Sequence, residues 1–410
     1  MNSKPIFANP ITILFLMLPF GISAGFVSVT LPFLLVQHGF SVAAAASITA
    51  VGLSSNIWRF LWAPLADLTL SLHKWYKIGL CMCVVSLFLL VFIPLDVAYS
   101  GILMGVVFIS QVAATFVASP VCGFMAKAIE EDKKGRAAGY FQSGNLGGMG
   151  IGGGAGIWLA SHISYEASCM LISLSMLLCV FALYFVPQIQ SDKAQTLTQG
   201  FQSIVLGIKE LFRSRLAIFT TVMILTPIGQ AAASYVWSSV ADDWHVPTDT
   251  VALVTGGLSG LASAIGCIIG GWVADKVGRW WAYFGSGALL ALVTLIMSIS
   301  PFTPLSYTSG VLWYALMGGF AYAAFSAILL FAIGKHLAAT KYALLSSITN
   351  IAVVYMIAFD GWFHDKYGVK AMLLGETFLG ISFVVVSLFA LSWFKIADSS
   401  INNDSWIETN

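Results

Sequence analysis

The sequence predicts an all-α integral membrane protein with twelve transmembrane helices in two six-helix halves, a 6+6 pseudo-repeat. Three observations lead to this fold class. Of the 410 residues, 59% are hydrophobic and only 9% are charged, whereas a soluble domain carries about 25% charged residues. Apolar runs of about 20 residues, the length that crosses a bilayer, recur along the chain. Several short patterns of the first half also return in the second half at a nearly constant shift.

The apolar runs place the predicted spans in order along the chain. In the first half they lie at 11–36, 44–66, 77–94, 98–126, 136–160 and 164–187. In the second half they lie at 215–240, 250–274, 280–299, 306–333, 340–363 and 371–394. The predicted units are an N-terminal half, a cytoplasmic linker, a C-terminal half and a cytoplasmic tail, at residues 1–190, 191–214, 215–397 and 398–410.

Matches between the two halves support the repeat. The Pro-x-Gly pattern at 19–21 returns at 227–229, a shift of 208 positions, and Asn145 matches Asn350 at a shift of 205. Parallel repeats of this kind are related by an axis along the membrane normal, and their shared binding site lies between them near the midplane. We therefore expect the functional residues to face the cleft between the halves.

Lysine and arginine placement predicts the orientation. If both termini are cytoplasmic, sixteen of the nineteen basic residues fall on the cytoplasmic side. Lys366 and Lys370 fall on the outer side, and Arg59 lies within a span. Because cytoplasmic loops carry an excess of Lys and Arg, the sequence predicts a multi-pass protein of the cytoplasmic (inner) membrane with both termini inside.

Composition also excludes several classes of partner. The net charge of +1 offers no basic surface for nucleic acid. All six cysteines fall inside apolar runs, so neither a disulfide framework nor a zinc site is indicated. No ATP-binding motif is present. We expect a monomer in the lipid bilayer, without cofactor or metal, whose partners are a small-molecule solute and protons.

The turn between the eighth and ninth predicted spans carries the most specific motif. Its glycines have a structural use of their own: Gly278 permits a tight reversal, and Gly270 and Gly271 allow a neighbouring helix to approach. Six residues match the spacing G-x-x-A-D-[RK]-x-G-R, namely Gly271, Ala274, Asp275, Lys276, Gly278 and Arg279. This motif resembles the signature of the major facilitator superfamily of transporters.

A degraded copy of the signature lies in the first half at Trp62–Leu68, where Ala66 and Asp67 match Ala274 and Asp275. The resemblance implies that five residues form a cytoplasmic gate motif: Asp67, Gly271, Asp275, Gly278 and Arg279. The alternative is that these residues only end the helices and set the topology.

The run from Trp58 to Asp67, WRFLWAPLAD, points to one branch of the superfamily. It resembles the basic-x-Leu-Trp-[AS]-Pro-x-x-Asp run of muropeptide permeases and acetyl-coenzyme A transporters, and siderophore importers are related to that branch. The run covers about ten residues, and the rest of the chain resembles the superfamily only broadly.

Candidate substrate-binding residues are polar or aromatic side chains on spans that face the cavity in the superfamily, together with the charge within span 2. They are Arg59, Gln111, Gln230, Tyr235, Trp237, Tyr314 and Tyr322. The structural alternatives are that Arg59 reaches the cytoplasmic headgroups, that the glutamines bond neighbouring helices and that the aromatic rings face lipid.

Asp360 and Glu376 are candidate proton-coupling residues, because a carboxyl group in a low-dielectric cavity can take up and release a proton. Intramembrane carboxyl groups are costly and mark functional sites in many transporters. The alternative is an interfacial charge paired with Lys366, Lys370 or a helix N-terminus.

The fifth span contains a glycine tract from Gly144 to Gly156. Glycines four apart lie on one helix face, and in lipid such faces pack against other helices. A phosphate-binding loop would need a following Gly-Lys-Ser/Thr, which is absent. We expect the tract to pack the fifth span against the eighth, between the halves.

These observations favour a secondary active transporter, not an enzyme, that moves a small organic solute by alternating access. We expect proton-coupled uptake, and the expected solute is a muropeptide, a siderophore or a similar amphipathic molecule. A facilitator or exporter of the same fold is one alternative. A membrane-embedded acyl or glycosyl transferase needs clustered catalytic groups, which do not stand out, and a transporter-like receptor usually needs a signalling extension.

Overall fold

The computed structural model describes residues 7–130, 134–188, 215–333 and 338–393, with short pieces between 198 and 209. Within these ranges the side chains of some residues lie outside the described set, among them Asp67 and Asp275. Every secondary-structure element in the described part is a helix or a helical turn. Eight helices of that part are long and apolar enough to cross a membrane.

The first half begins with a long helix that contains one π turn, because α1 (Ile11–Gly25) continues through Phe26–Thr30 into α2 (Leu31–Gln37). The next helices are α3 (Val42–Leu68), α4 (Leu72–Phe88) and α5 (Ser100–Lys127). A second π turn at Ile151–Ala155 joins α6 (Lys134–Gly150) to α7 (Gly156–His162), and α8 (Tyr165–Leu177) follows.

In the second half, α9 (Arg215–Ile224) is short. The short helix α10 (Thr248–Val251) leads through a π turn at Ala252–Leu258 into α11 (Ser259–Val277). The remaining helices are α12 (Arg279–Ile299), α13 (Pro304–Ile333), α14 (Ala338–Tyr367) and α15 (Val369–Trp393). Eleven of the twelve predicted spans thus coincide with helices whose ends differ from the prediction by a few residues.

The predicted seventh span, 215–240, is wrong as a continuous helix. Helix α9 ends at Ile224, and only short 3-10 turns follow at Ala232–Tyr235 and Ala241–Trp244. Pro227 lacks a backbone N–H and cannot continue the helical hydrogen-bond ladder. Gly229 and Ala231 both adopt positive φ angles, +65° and +50°, which right-handed helix excludes.

The glycine tract packs against two helices. A side chain on Gly148 or Gly152 would collide with backbone atoms of α1, at Leu18 and Ile22, respectively. Gly154 instead lies against Ala252 and Gly256 of the second half. The predicted contact between the fifth and eighth spans is therefore confirmed, and the glycines spaced four apart pack mainly against α1.

The turn at Gly278 has the predicted sharp reversal, with φ at +98° between α11 and α12. The backbone of Phe320 lies against Gly270, so this glycine does admit a close helix. The same prediction is wrong for Gly271, because a Cβ built there meets no described atom within 4 Å.

Buried side chains form three clusters, one in the first half, one in the second half and one that joins the two. The joining cluster packs α2 and the start of α3 against the 232–246 segment and α14. It lies at the end of the molecule that carries four histidines, which we call the histidine end: His38, His162, His245 and His364. The opposite end carries the Gly278 turn.

Candidate functional site

A polar cluster lies between the two halves where α3, α6, α13 and α14 meet. The guanidinium of Arg59 donates to the Ser346 hydroxyl at 3.3 Å, and the amide of Gln142 donates to the Tyr322 hydroxyl at 3.0 Å. Arg59 also lies close enough to Tyr322 to interact with it electrostatically. We call these four residues the cleft cluster, because each of its bonds joins one half to the other.

Within the cleft cluster, Arg59 has more hydrogen-bond donors than its described partner uses. A guanidinium has five N–H donors, and one bond, to Ser346, uses a donor of Arg59 among the described residues. Arg59 is half-buried and Tyr322 is 48% exposed, so both can reach a molecule in the cleft. The arrangement can hold an anionic or strongly polar group beside an aromatic ring.

Two more predicted binding residues, Tyr235 and Gln230, lie near this region on the broken segment after α9. Tyr235 is close enough to Tyr322 to interact with it electrostatically. Gln230 reaches the hydroxyl of Tyr283, which donates to the carbonyl of Ile228 at 2.7 Å. Tyr235 and Gln230 are partly exposed, so their side chains remain candidates for solute contact.

The other three predicted binding residues lie in the protein interior. The amide of Gln111 is buried and donates to the Ser23 hydroxyl at 2.9 Å and to the Ser23 carbonyl at 3.3 Å. This contact joins α5 to α1, as the helix-bonding alternative expects. Trp237 and Tyr314 are buried against one another edge to face, with ring centroids 5.3 Å apart.

The two predicted proton-coupling residues are brought together. Asp360 of α14 is 0% exposed, and its carboxyl group faces that of Glu376 in α15. The Tyr314 hydroxyl donates to Oε1 of Glu376 at 3.4 Å, and the backbone amide of Ala233 lies beside the same carboxyl group. No described residue donates a hydrogen bond to either oxygen of Asp360.

This carboxyl pair can exchange protons. Two carboxylates in a low-dielectric site repel one another and cannot both ionise without a compensating charge. Glu376 is partly exposed whereas Asp360 is fully buried, so Glu376 is the more accessible member of the pair. The pair lies beside the break after α9, because Ala233 belongs to the first 3-10 turn after that break.

The broken segment also contains unsatisfied polar groups. The indole nitrogens of Trp237 and Trp244 and the hydroxyls of Ser238 and Ser239 are buried without a hydrogen-bond partner in the described structure. An unpaired buried polar group costs about 1–3 kcal/mol. Segment 225–244 is therefore held in an arrangement that leaves hydrogen-bonding groups of its buried side chains without partners among the described residues.

The gate-motif residues are only partly described. The side chains of Asp67 and Asp275 lie outside the described residues, so the predicted latch stays a prediction. Gly278 forms the α11–α12 turn, Arg279 is exposed at the start of α12, and Gly271 is half-buried in α11. Lys276 lies over the ring of Trp272, 4.1 Å from its centroid.

Sequence reasoning missed Gln142 and Ser346 of the cleft cluster. Gln142 lies in the middle of α6, just before the glycine tract, and the sequence pattern marked that tract only as a packing face. Ser346 is one of several small polar residues in α14, and nothing in the pattern separates it from the others. Finding Ser346 would have required knowledge that α3 packs against α14. Finding Gln142 would have required knowledge that α6 meets α13.

Comparisons with known proteins agree with this architecture. The family model of the Major Facilitator Superfamily matches residues 11–356. The anhydromuropeptide permease of Escherichia coli (strain K12) is 23% identical, over 98% of this chain and 84% of that protein. The same permease of Escherichia coli O157:H7 matches with the same values.

Solved structures with the same fold are transporters. A D-xylose-proton symporter matches with a TM-score of 0.73 and 15% identity, over 93% of this chain and 96% of its own. The nucleoside transporter NupG matches with a TM-score of 0.71 and 11% identity, over 92% and 97% of the two chains. Identities this low bear on the fold alone.

Proposed function

Because this chain belongs to the Major Facilitator Superfamily of transporters, we propose that it is a secondary active transporter which imports a small organic solute through the cytoplasmic membrane. The proposal includes alternating access, in which the two halves rock around a site near the midplane. The observation that carries it is the cleft cluster, where polar side chains of both halves meet and where the Arg59 guanidinium has N–H donors beyond the one that bonds Ser346.

The proposed architecture has twelve spans. Among the described residues, eight helices meet the length and hydropathy of a membrane span. The remaining four would be α3, the α6–α7 helix, the broken segment that begins with α9, and α13. This count gives six spans in each half, with both termini and the 191–214 linker in the cytoplasm, as the distribution of Lys and Arg favours.

The proposed solute is amphipathic, such as a muropeptide or a siderophore. The 23% identical relative is an anhydromuropeptide permease, and the Trp58–Asp67 run resembles the same branch. In the cleft, Arg59 would bind an anionic or polar group while Tyr235 and Tyr322 contact a ring or another apolar part. One cation among these residues suits a weakly charged solute better than one with several phosphates.

Proton coupling is proposed from the Asp360–Glu376 pair. A carboxyl pair that accepts a proton from one side of the membrane and releases it to the other would link the proton gradient to the movement of the halves. The nearby break after α9 supports this assignment, because Ala233 and Tyr314 connect Glu376 to backbone and side chains of that segment.

The test is solute uptake into proteoliposomes that carry an imposed inward proton gradient. The panel would contain a muropeptide, a siderophore, acetyl-coenzyme A and a neutral sugar, with protein-free liposomes as the blank. We expect gradient-dependent accumulation of the muropeptide or the siderophore. Uptake that only equilibrates would replace symport by facilitated diffusion, and a folded protein that moves none of the four would overturn the proposed substrate class.

A further inference from the structure

His364 lies between two carboxyl groups at the histidine end of the molecule. Its Nε2 is 2.8 Å from Oδ2 of Asp243, and its Nδ1 is 3.4 Å from Oδ1 of Asp365. The side chain of His364 is only 15% exposed, and those of Asp243 and Asp365 are about one-third and one-quarter exposed. The imidazole therefore connects α14 to the segment that follows the break.

Asp365 in turn binds the other half of the protein. Its Oδ2 accepts the backbone N–H of Ala43 at 3.0 Å. Ala43 is the second residue of α3, where the N–H groups lack partners within the helix and the helix dipole attracts negative charge. The Asp365 carboxylate thus caps a helix of the opposite half.

Two neighbouring contacts also join the two halves at the histidine end. Gln37 at the end of α2 donates to Oδ2 of Asp242 at 3.1 Å. Gly361, one turn before Asp365, packs so closely on Ala43 and Ala46 that a Cβ there would lie 2.5 Å from the Ala46 side chain. The two halves are in contact along this end of α14.

We propose that a latch holds the halves together at the histidine end. It consists of Asp243, His364, Asp365 and the N-terminus of α3, and protonation of His364 strengthens it. A protonated imidazole gains a favourable interaction with both carboxylates, and it holds Asp365 in position to cap α3. Opening of this end in the transport cycle separates Asp365 from Ala43. The latch differs from the cleft cluster and from the signature turn at Gly278, which lies at the other end of the molecule.

The charges around His364 support a simple pH response. Asp243 faces it from the segment after the break, and Asp365 and Lys366 flank it on its own helix. Asp360 lies one turn further into α14, and Lys370 stands in the first turn of α15. Helix α3 contributes no charged side chain between Val42 and Trp58, and the described bond from α3 to Asp365 comes from the backbone N–H of Ala43.

A conformational measurement on the full-length protein tests the latch independently of transport. Spin labels at Val97→Cys and Leu305→Cys would report the separation of the halves by double electron–electron resonance in lipid nanodiscs. Both positions are exposed at the histidine end, 57% and 79%, and neither belongs to the latch. Serine replaces the native cysteines at positions 81, 122 and 267, which are accessible.

The variant Asp365→Ala should raise the ratio of the long-distance to the short-distance population about fivefold, the usual effect of losing a helix cap. The matched control is Asp249→Ala, because Asp249 also meets a histidine of the other half, His162, at 3.7 Å, but both side chains are largely exposed. Exposed pairs contribute little, so the control should change the ratio less than about twofold.

The role of His364 is tested by measuring the same distance distribution at different pH values. In the parent protein the short-distance population should increase from pH 8 to pH 6, and His364→Gln, which keeps a hydrogen-bond donor but cannot become charged, should abolish the increase. If Asp365→Ala does not fold, Asp365→Asn can replace it, because asparagine has the shape of aspartate without its charge. Asp365→Asn should also raise the ratio of the long-distance to the short-distance population, but by a smaller factor. Equal ratios for Asp365→Ala and Asp249→Ala, or an unchanged pH response in His364→Gln, would overturn the proposal.

Discussion

The amide of Gln142 in α6 donates a hydrogen bond to the hydroxyl of Tyr322 in α13, and this 3.0 Å contact crosses from one half of the protein to the other. Arg59 of α3 lies beside the same tyrosine. In the proposed alternating-access cycle, contacts of this kind have to be exchanged for solute or water. In that proposal, the cleft cluster is the place where a bound molecule favours one arrangement of the halves.

The first prediction concerns the guanidinium of Arg59. We expect Arg59→Lys to raise the KM for uptake about tenfold, which corresponds to about 1.4 kcal/mol, because an ammonium cannot reproduce the planar, two-pronged donor of arginine. The amount of folded protein should not change. Initial rates of uptake in proteoliposomes over a range of solute concentrations give the KM.

Lys77→Gln is the control for that experiment, since it removes an exposed cation of the same half, outside the cleft. An unchanged KM in Arg59→Lys would mean that Arg59 serves only to join the halves through Ser346.

The second prediction concerns the carboxyl pair. Glu376→Gln and Asp360→Asn should abolish accumulation against a gradient, because the remaining carboxyl group would lack the neighbouring carboxylate whose charge favours its protonation. Solute exchange at equal concentrations on both sides should continue. Exchange and gradient-driven uptake would be measured on the same proteoliposome preparations.

Glu166→Gln serves as the control for the pair, because Glu166 is exposed at the start of α8 and should leave both activities intact. Full proton-driven accumulation in Glu376→Gln would remove this residue as the coupling group.

Most of the fold could be predicted from the sequence because hydrophobic length is a direct consequence of bilayer thickness. The glycine tract likewise predicted packing of the fifth span against the eighth, since glycine backbones pack closely in lipid. The structure places this contact at the π turn Ala252–Leu258. The seventh span shows the limit. Pro19 and Gly21 lie inside the intact α1, whereas Pro227 and Gly229 in the same pattern accompany a break.

That difference comes from tertiary packing, which a local pattern does not contain. Gly21 is held in helical conformation against the backbone of Gly144 and Asn145 in α6. Gly229 instead lies against the rings and methyl groups of Tyr283 and Ala321, with a positive φ angle that ends the helix. The charged residues of the candidate site could be predicted because charged side chains are rare within a membrane span. The roles of Gln142 and Ser346 and the contacts of His364 could not be predicted, because they depend on which helices pack together.

The third prediction compares two adjacent glycines of α6. Gly148→Ala should lower the free energy of unfolding by about 1–3 kcal/mol, because its Cβ would lie 2.6 Å from the backbone oxygen of Leu18. Gly147→Ala should be neutral or stabilising by up to about 1 kcal/mol, because a Cβ there meets no described atom within 4 Å. Thermal denaturation of both variants in the same detergent would show whether the order of stability is as expected; a reversed order would refute the packing of α1 on α6.

The fourth prediction concerns Ala231, whose φ of +50° and ψ of +40° place it in the left-handed region. An L-residue other than glycine pays about 1–2 kcal/mol for that conformation, so Ala231→Gly should raise the melting temperature of the protein. The same exchange at Ala264, exposed in the intact helix α11, should lower it, because glycine costs about 1 kcal/mol relative to alanine in a helix. Opposite signs in one thermal-shift experiment would establish that segment 225–231 is broken in the resting protein. A lower melting temperature for both variants would instead indicate that the segment is helical there and that α9 continues through Pro227.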